Sequence, residues 1–137
     1  MITIEPMADG DAGAVIALWE TCGLTRPWND PVRDLSLARD AADSVVVVAR
    51  ENGAVRGSVM AGFDGHRGWV YYLAVHPDVQ RRGLGRALMA PAEAWLADRG
   101  APKIQLMVRE GNARAISFYE ALGMARQPVV TLGRRLD

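Results

Sequence analysis

The sequence predicts an α/β (α+β) fold, a single domain over 1–137. Its central sheet is mixed, antiparallel in the N-terminal half and partly parallel in the C-terminal half, with helices on both faces. Three observations predict it. Between Ser44 and Val75, three β-branched, apolar runs follow one another through tight turns, as in an antiparallel meander. Beyond Val75, amphipathic helices alternate with strands, and a strand–helix–strand crossover sets its strands parallel. The chain has 137 residues, 50% hydrophobic and 23% charged, which suits one buried core and not two.

In chain order, Ile2–Glu5 is a short opening strand. Asp9 or Asp11 caps a helix that carries Val15, Ile16, Leu18, Trp19 and Cys22 at helical spacing. The stretch Gly23–Asp30 breaks it, and Asp30-Pro31 reads as an N-cap and first helical residue, opening a second helix to about Asp43. Strands follow at Ser44–Arg50, Ala54–Gly62 and Trp69–Val75, separated by Glu51-Asn52-Gly53 and by Asp64–Gly68. Gly85–Arg99 is an amphipathic helix stopped by Gly100, Lys103–Val108 a strand, Asn112–Leu122 a helix stopped by Gly123, and Met124–Leu132 a last strand.

Composition excludes several function classes. The 16 basic residues balance the 16 acidic ones, so nothing points to a nucleic-acid surface or a membrane patch. Cys22 is the single cysteine, which fits a reducing, cytoplasmic setting, and His66 and His76 lack ligand spacing, so no metal site is expected. No signal-peptide pattern and no membrane-length apolar run is seen.

The chemistry concentrates in Val75-His76-Pro77-Asp78-Val79-Gln80-Arg81-Arg82-Gly83-Leu84-Gly85-Arg86, between a strand end and a helix start. Gly83 and Gly85 let the backbone turn tightly and approach a ligand. The first amides of the following helix, together with its dipole, suit a phosphate or pyrophosphate. Arg81, Arg82 and Arg86 add positive charge. A solvated glycine turn is the simpler alternative on these residues alone. Neither a triphosphate loop nor a full dinucleotide fingerprint is present.

Gln80-Arg81-Arg82-Gly83-Leu84-Gly85, preceded by Leu73-Ala74-Val75-His76-Pro77, resembles the Q/R-x-x-G-x-G/A signature of the GNAT acetyltransferase family. The order of elements fits that fold from end to end. Asn112-Ala113-Arg114-Ala115 through Tyr119 to Gly123 is similar to a second motif of the family. The resemblance implies acetyl-CoA as donor, its pyrophosphate held by backbone amides from Arg81 to Arg86. It implies pantetheine inserted in a gap between Tyr72–Val75 and Lys103–Val108, along Leu73, Ala74 and Val75. The N–H of Val75 or a neighbour then polarises the thioester carbonyl, Tyr119 protonates the departing thiolate, and Asn112 contacts the cofactor or only caps its helix.

The acceptor is expected to be a primary amine of a small molecule or peptide, attacking directly in a ternary complex. Such an amine must be neutral to attack, which calls for a base or a desolvating pocket. Many relatives carry a Glu near the start of the central strand, whereas this chain reads Trp69-Val70-Tyr71-Tyr72. Asp64 and His66 are the nearest titrating groups, with relayed water as an alternative. Trp28 and Asn29, in the loop Arg26–Pro31, and Tyr72 are candidates to line the acceptor site. That loop and Asp64-Gly65-His66-Arg67-Gly68 resemble the small bacterial YpeA-type acetyltransferases. A non-catalytic acyl-CoA sensor is the alternative function, and a homodimer is compatible with either.

Overall fold

The computed structural model describes residues 1–137. The elements run β1 (Ile2–Pro6), α1 (Ala12–Thr21), α2 (Pro31–Asp40), β2 (Ser44–Glu51), β3 (Ala54–Phe63), β4 (Gly68–Val75), α3 (Leu84–Asp98), β5 (Ile104–Leu106) and α4 (Ala113–Ala121). By internal contacts the chain divides into two compact units, Met1–Met107 and Val108–Asp137. The first carries the whole sheet, in the order β1-β2-β3-β4-β5. Every neighbouring pair is antiparallel except β4 and β5, which the α3 crossover makes parallel. No helix is long and apolar enough to cross a membrane.

Local chemistry accounts for the helix starts. Asp30 accepts from the N–H groups of Val32 and Arg33 at 3.0 and 3.4 Å, and Pro31 supplies a preset φ at the first turn of α2. The second helix stops at Asp40, short of the expected Asp43, because Ala41 turns to an extended conformation.

Both faces of the sheet are covered in the first unit. Trp19, Val15 and Leu18 of α1 and Leu35 and Ala38 of α2 pack on Val46, Val48, Met60 and Ala74. Leu84, Leu88, Met89, Ala92 and Leu96 form the buried stripe of α3. A side chain at Gly57 would place its Cβ 2.8 Å from Leu88 Cδ1, so only glycine lets α3 settle this close to β3.

Arg50 near the end of β2 ties α1 to the sheet. It donates to both carboxylate oxygens of Asp11 and, through Nε at 2.7 Å, to Glu5. Asp11 also accepts from the Ala8 N–H at 2.7 Å. The Arg50 guanidinium holds the Asp11 carboxyl below its ordinary range. A depressed carboxylate adds stability above its unfolded pKa and loses it as pH falls through the folded value. Asp11→Asn is therefore expected to cost on the order of 1–3 kcal/mol at pH 7, and less below about pH 4, in urea melts at both pH values.

Two expectations for the C-terminal half need correction. The strand expected at Lys103–Val108 contracts to Ile104–Leu106. The strand expected at Met124–Leu132 does not form; the stretch is neither helix nor strand. Pro128 interrupts it with a residue that cannot donate to a ladder. Val129, Val130 and Leu132 are 73%, 84% and 90% exposed, so their β-branched and apolar character has no partner strand to act on.

Candidate active site

The ladder between β4 and its parallel neighbour, β5, stops early. It covers only Gly68–Val70 against Ile104–Leu106, while β4 itself continues to Val75. A bulge sits just past that point. Met60 faces Tyr71 and Ser58 faces Ala74, so Val59 alone opposes both Tyr72 and Leu73. Tyr72 takes φ of 52°, rare for a bulky residue. Beyond the bulge, the His76 N–H donates to the Arg56 carbonyl at 2.8 Å. Alternation along an antiparallel ladder then turns the amide groups of Ala74 toward β3 and those of Leu73 and Val75 toward the opening. The Val75 carbonyl is already bonded there, accepting from Cys22 Sγ and from Gln80 Nε2, each at 3.3 Å. Burial pushes the Cys22 thiol up, so it stays a neutral donor.

A buried brace holds the bulge. Trp19 Nε1 donates to Ser58 Oγ at 3.0 Å, and Ser58 Oγ donates at 3.0 Å to the backbone carbonyl of Tyr72. The Tyr72 ring stacks on Trp19 with centroids 3.8 Å apart, and its hydroxyl donates to Asp34 Oδ2 at 2.7 Å. Burial and the Asp34 carboxylate push the Tyr72 phenol well up. Ser58 and Trp19 are fully buried, so Ser58→Ala strands an indole N–H and a carbonyl without partners. That substitution is expected to cost about 2–3 kcal/mol in urea denaturation and to raise the KM for acetyl-CoA, where a purely local defect would leave KM unchanged.

The loop after β4 delivers a helix N-terminus. Arg81 and Gly83 both have positive φ, 66° and 76°. Gly83 is the N-cap of α3, no side chain caps that helix, and the first backbone bond back to the cap comes from Ala87 at 3.0 Å. A Cβ on Gly83 would point into open space, with no atom within 4 Å. Arg82 pairs with Glu51, Nη2 to Oε2 at 2.5 Å, while Arg81 and Arg86 are exposed.

Residues expected on the acceptor side are dispersed. Asp64 Oδ1 accepts from the N–H groups of His66 and Arg67 at 2.8 and 2.7 Å, and Oδ2 from Trp69 Nε1 at 3.2 Å. Those amides hold the Asp64 carboxyl below its ordinary range, which makes it a weak base. A cavity of about 460 Å3 is lined by Asp64, Asp43, Phe63, Trp69 and Tyr71 among others, and by neither Trp28, Asn29, His66 nor Tyr72. Trp28, 55% exposed, lies with Asn29 on the loop between α1 and α2. In the second unit, Asn112 Oδ1 caps α4 by accepting from the Ala115 N–H at 3.1 Å. Tyr119 meets Phe118 edge-on at 5.0 Å, and burial pushes its phenol up.

Comparison with known proteins is decisive for the family. The model of the acetyltransferase (GNAT) family matches residues 14–124. This chain belongs to the GNAT acetyltransferase family. An acetyltransferase of Pectobacterium atrosepticum is 50% identical over 126 residues, covering 92% of this chain and 89% of that protein. One of Yersinia enterocolitica is 46% identical over 133 residues, covering 97% and 94%. Among solved structures, a CoA complex of the aminoglycoside N-acetyltransferase AAC(6')-Iy superposes with a TM-score of 0.85 at 17% identity, covering 100% of this chain and 96% of that one. The ribosomal-protein-S18-alanine N-acetyltransferase of Escherichia coli gives 0.77 at 28% identity, covering 90% and 77%.

As a GNAT member the chain is an acyl-CoA-dependent N-acetyltransferase with acetyl-CoA as donor. Its own residues fit that donor: an uncapped helix N-terminus for phosphate oxygens, open space at Gly83, and a stretch of β4 beyond the end of its ladder with β5. Sequence reasoning missed Ser58, which looks like one small residue in an apolar strand. It also did not bring Phe63, Trp69 and Tyr71 together as the lining of one cavity. The spacing Trp69-x-Tyr71 carried a signal, since alternate residues of a strand share a face.

Proposed function

We propose that this chain transfers the acetyl group of acetyl-CoA to a primary amine by direct attack in a ternary complex. The opening of β4 beyond Val70 carries the reading, because it leaves the Val75 N–H facing a gap next to the α3 N-terminus. In this reading the amides of Gly83–Arg86 bind the pyrophosphate, assisted by Arg81 and Arg86. The edge groups of Leu73 orient the pantetheine arm, and the Val75 N–H donates to the thioester carbonyl oxygen as charge develops there. Tyr119 Oη gives its proton to the departing sulfur; a phenol is protonated at neutral pH with or without the upward push of burial. Asn112 serves as a helix cap and Arg82 as a partner of Glu51 that shapes the loop.

Initial rates of CoA release with both substrates varied test the reading. Intersecting double-reciprocal lines and an acetylated amine in the mass spectrum are expected. Parallel lines would indicate a covalent acetyl-enzyme and overturn direct attack. Tight acetyl-CoA binding without turnover on any amine would favour a sensor.

A further inference from the structure

The cavity between the end of α2 and the start of β4 is broadly open to solvent and is lined by none of the residues proposed to bind the donor. Its walls are unusual for a protein whose basic and acidic residues balance at 16 each. Phe63, Trp69 and Tyr71 supply aromatic faces, Asp43 and Asp64 supply carboxylates, and no Lys, Arg or His lines it. Trp69 and Tyr71 stand nearly parallel, ring centroids 6.5 Å apart and planes 20° apart. Tyr71 is 42% exposed, so its ring is accessible.

The charge of the cavity rests mainly on Asp64. Asp43 lies 3.9 Å from Arg99 Nε, a contact that offsets part of its charge. Asp64 is ionised at neutral pH, held so by the His66 and Arg67 amides and the Trp69 indole N–H. Arg67 does not neutralise it through its head group, which donates at 3.0 Å to the His66 carbonyl. Aromatic faces beside a fixed carboxylate attract an ammonium group by cation–π and charge-assisted contacts together.

Position along β4 sets the length of the ligand. Tyr71 is the first residue past the β4–β5 ladder, and Val75 lies four residues further on the same strand. At a strand rise of about 3.3 Å per residue, the Val75 amide is about 10–13 Å from Tyr71 once the bulge is allowed for, and about 16–20 Å from Trp69, whose indole bonds Asp64. An ammonium held against Tyr71 and Asp64 would leave room for a reacting amine one extended chain away.

We infer that the Asp64–Trp69–Tyr71 cavity is a subsite for the second cationic group of an extended small-molecule polyamine, whose far primary amine is the acetyl acceptor. The acceptor half rests on the proposed placement of the donor along β4; the cation-binding half does not. The reaction balances: the amine nitrogen bonds the acetyl carbon, the carbon–sulfur bond breaks, and the proton lost by nitrogen replaces the one that Tyr119 gives to sulfur, so the products are the amide and the CoA thiol.

Calorimetry on the full chain tests the subsite, with spermidine as probe, butylamine as the singly charged comparator and a short peptide with a free N-terminus as competitor. Spermidine is expected to bind at least about tenfold tighter than butylamine, and more weakly as ionic strength rises. Asp64→Asn keeps an oxygen to accept the His66 and Arg67 amides, and should weaken spermidine about tenfold while leaving acetyl-CoA affinity unchanged. Tyr71→Leu, at an exposed position that tolerates substitution, should weaken it as well. Equal binding of spermidine and butylamine, tighter binding of the peptide, or indifference of spermidine to both substitutions would each overturn the subsite. The two readings separate in one data set. Spermidine binding without acetyl-CoA binding defeats the donor assignment alone, and acetyl-CoA binding without spermidine binding defeats the subsite alone.

Discussion

Gly83→Trp is expected to weaken acetyl-CoA binding by at least about 100-fold, near 2.7 kcal/mol, in a chain that still folds. The argument is geometric. Gly83 caps α3 at φ 76°, so any side chain there adds roughly 1–2 kcal/mol of local strain. No atom lies within 4 Å of a Cβ built there, so a side chain starts into open space and unfolding is not the expected result. That same space is where a pyrophosphate must come to reach the uncapped amides of α3. Gly83→Ala separates the two effects, since it brings the strain with almost no bulk. Its acetyl-CoA affinity should fall far less, and urea denaturation should show similar losses of stability for both variants.

Tyr119→Phe is expected to lower kcat about 100-fold with little change in the KM for acetyl-CoA or in stability. Positioned general acids contribute roughly 10²–10⁴-fold, and a thiolate, with a thiol pKa near 8.5, needs less help than an alkoxide, which sets the effect at the low end. The pH dependence adds a second test. Burial raises the Tyr119 phenol above its ordinary value, so the acid stays protonated across neutral pH. The rise of kcat/KM between about pH 6 and 9 then belongs to the acceptor amine losing its proton, about tenfold per unit. The variant should keep that slope at a lower height. A kcat equal to wild type would remove Tyr119 from the chemistry.

Features written in short stretches of sequence were readable in it. Asp30-Pro31 shows its cap and first turn in two adjacent residues, the meander shows its turns, and Gly83 shows its loop. Features set by distant partners were not. The opening between β4 and β5 depends on where two separate strands stop pairing, and residues 69–75 alone do not encode it. The positive φ of Tyr72 depends on Ser58, Trp19 and Asp34, three residues on three other elements. The pairing of Arg82 with Glu51 was not legible either, because the two lie 31 residues apart. Met124–Leu132 failed as a strand because β propensity without a ladder stabilises little.

The central claim is that acetyl-CoA lies along the open edge of β4 with its phosphates at the N-terminus of α3. Backbone amide NMR of the isotope-labelled chain, titrated with CoA, tests it most directly. The account predicts saturable shifts concentrated at the amides of Leu73, Val75 and Arg81–Arg86, with the β1–β2 amides unmoved. Saturable shifts elsewhere, with these amides unchanged, would contradict it.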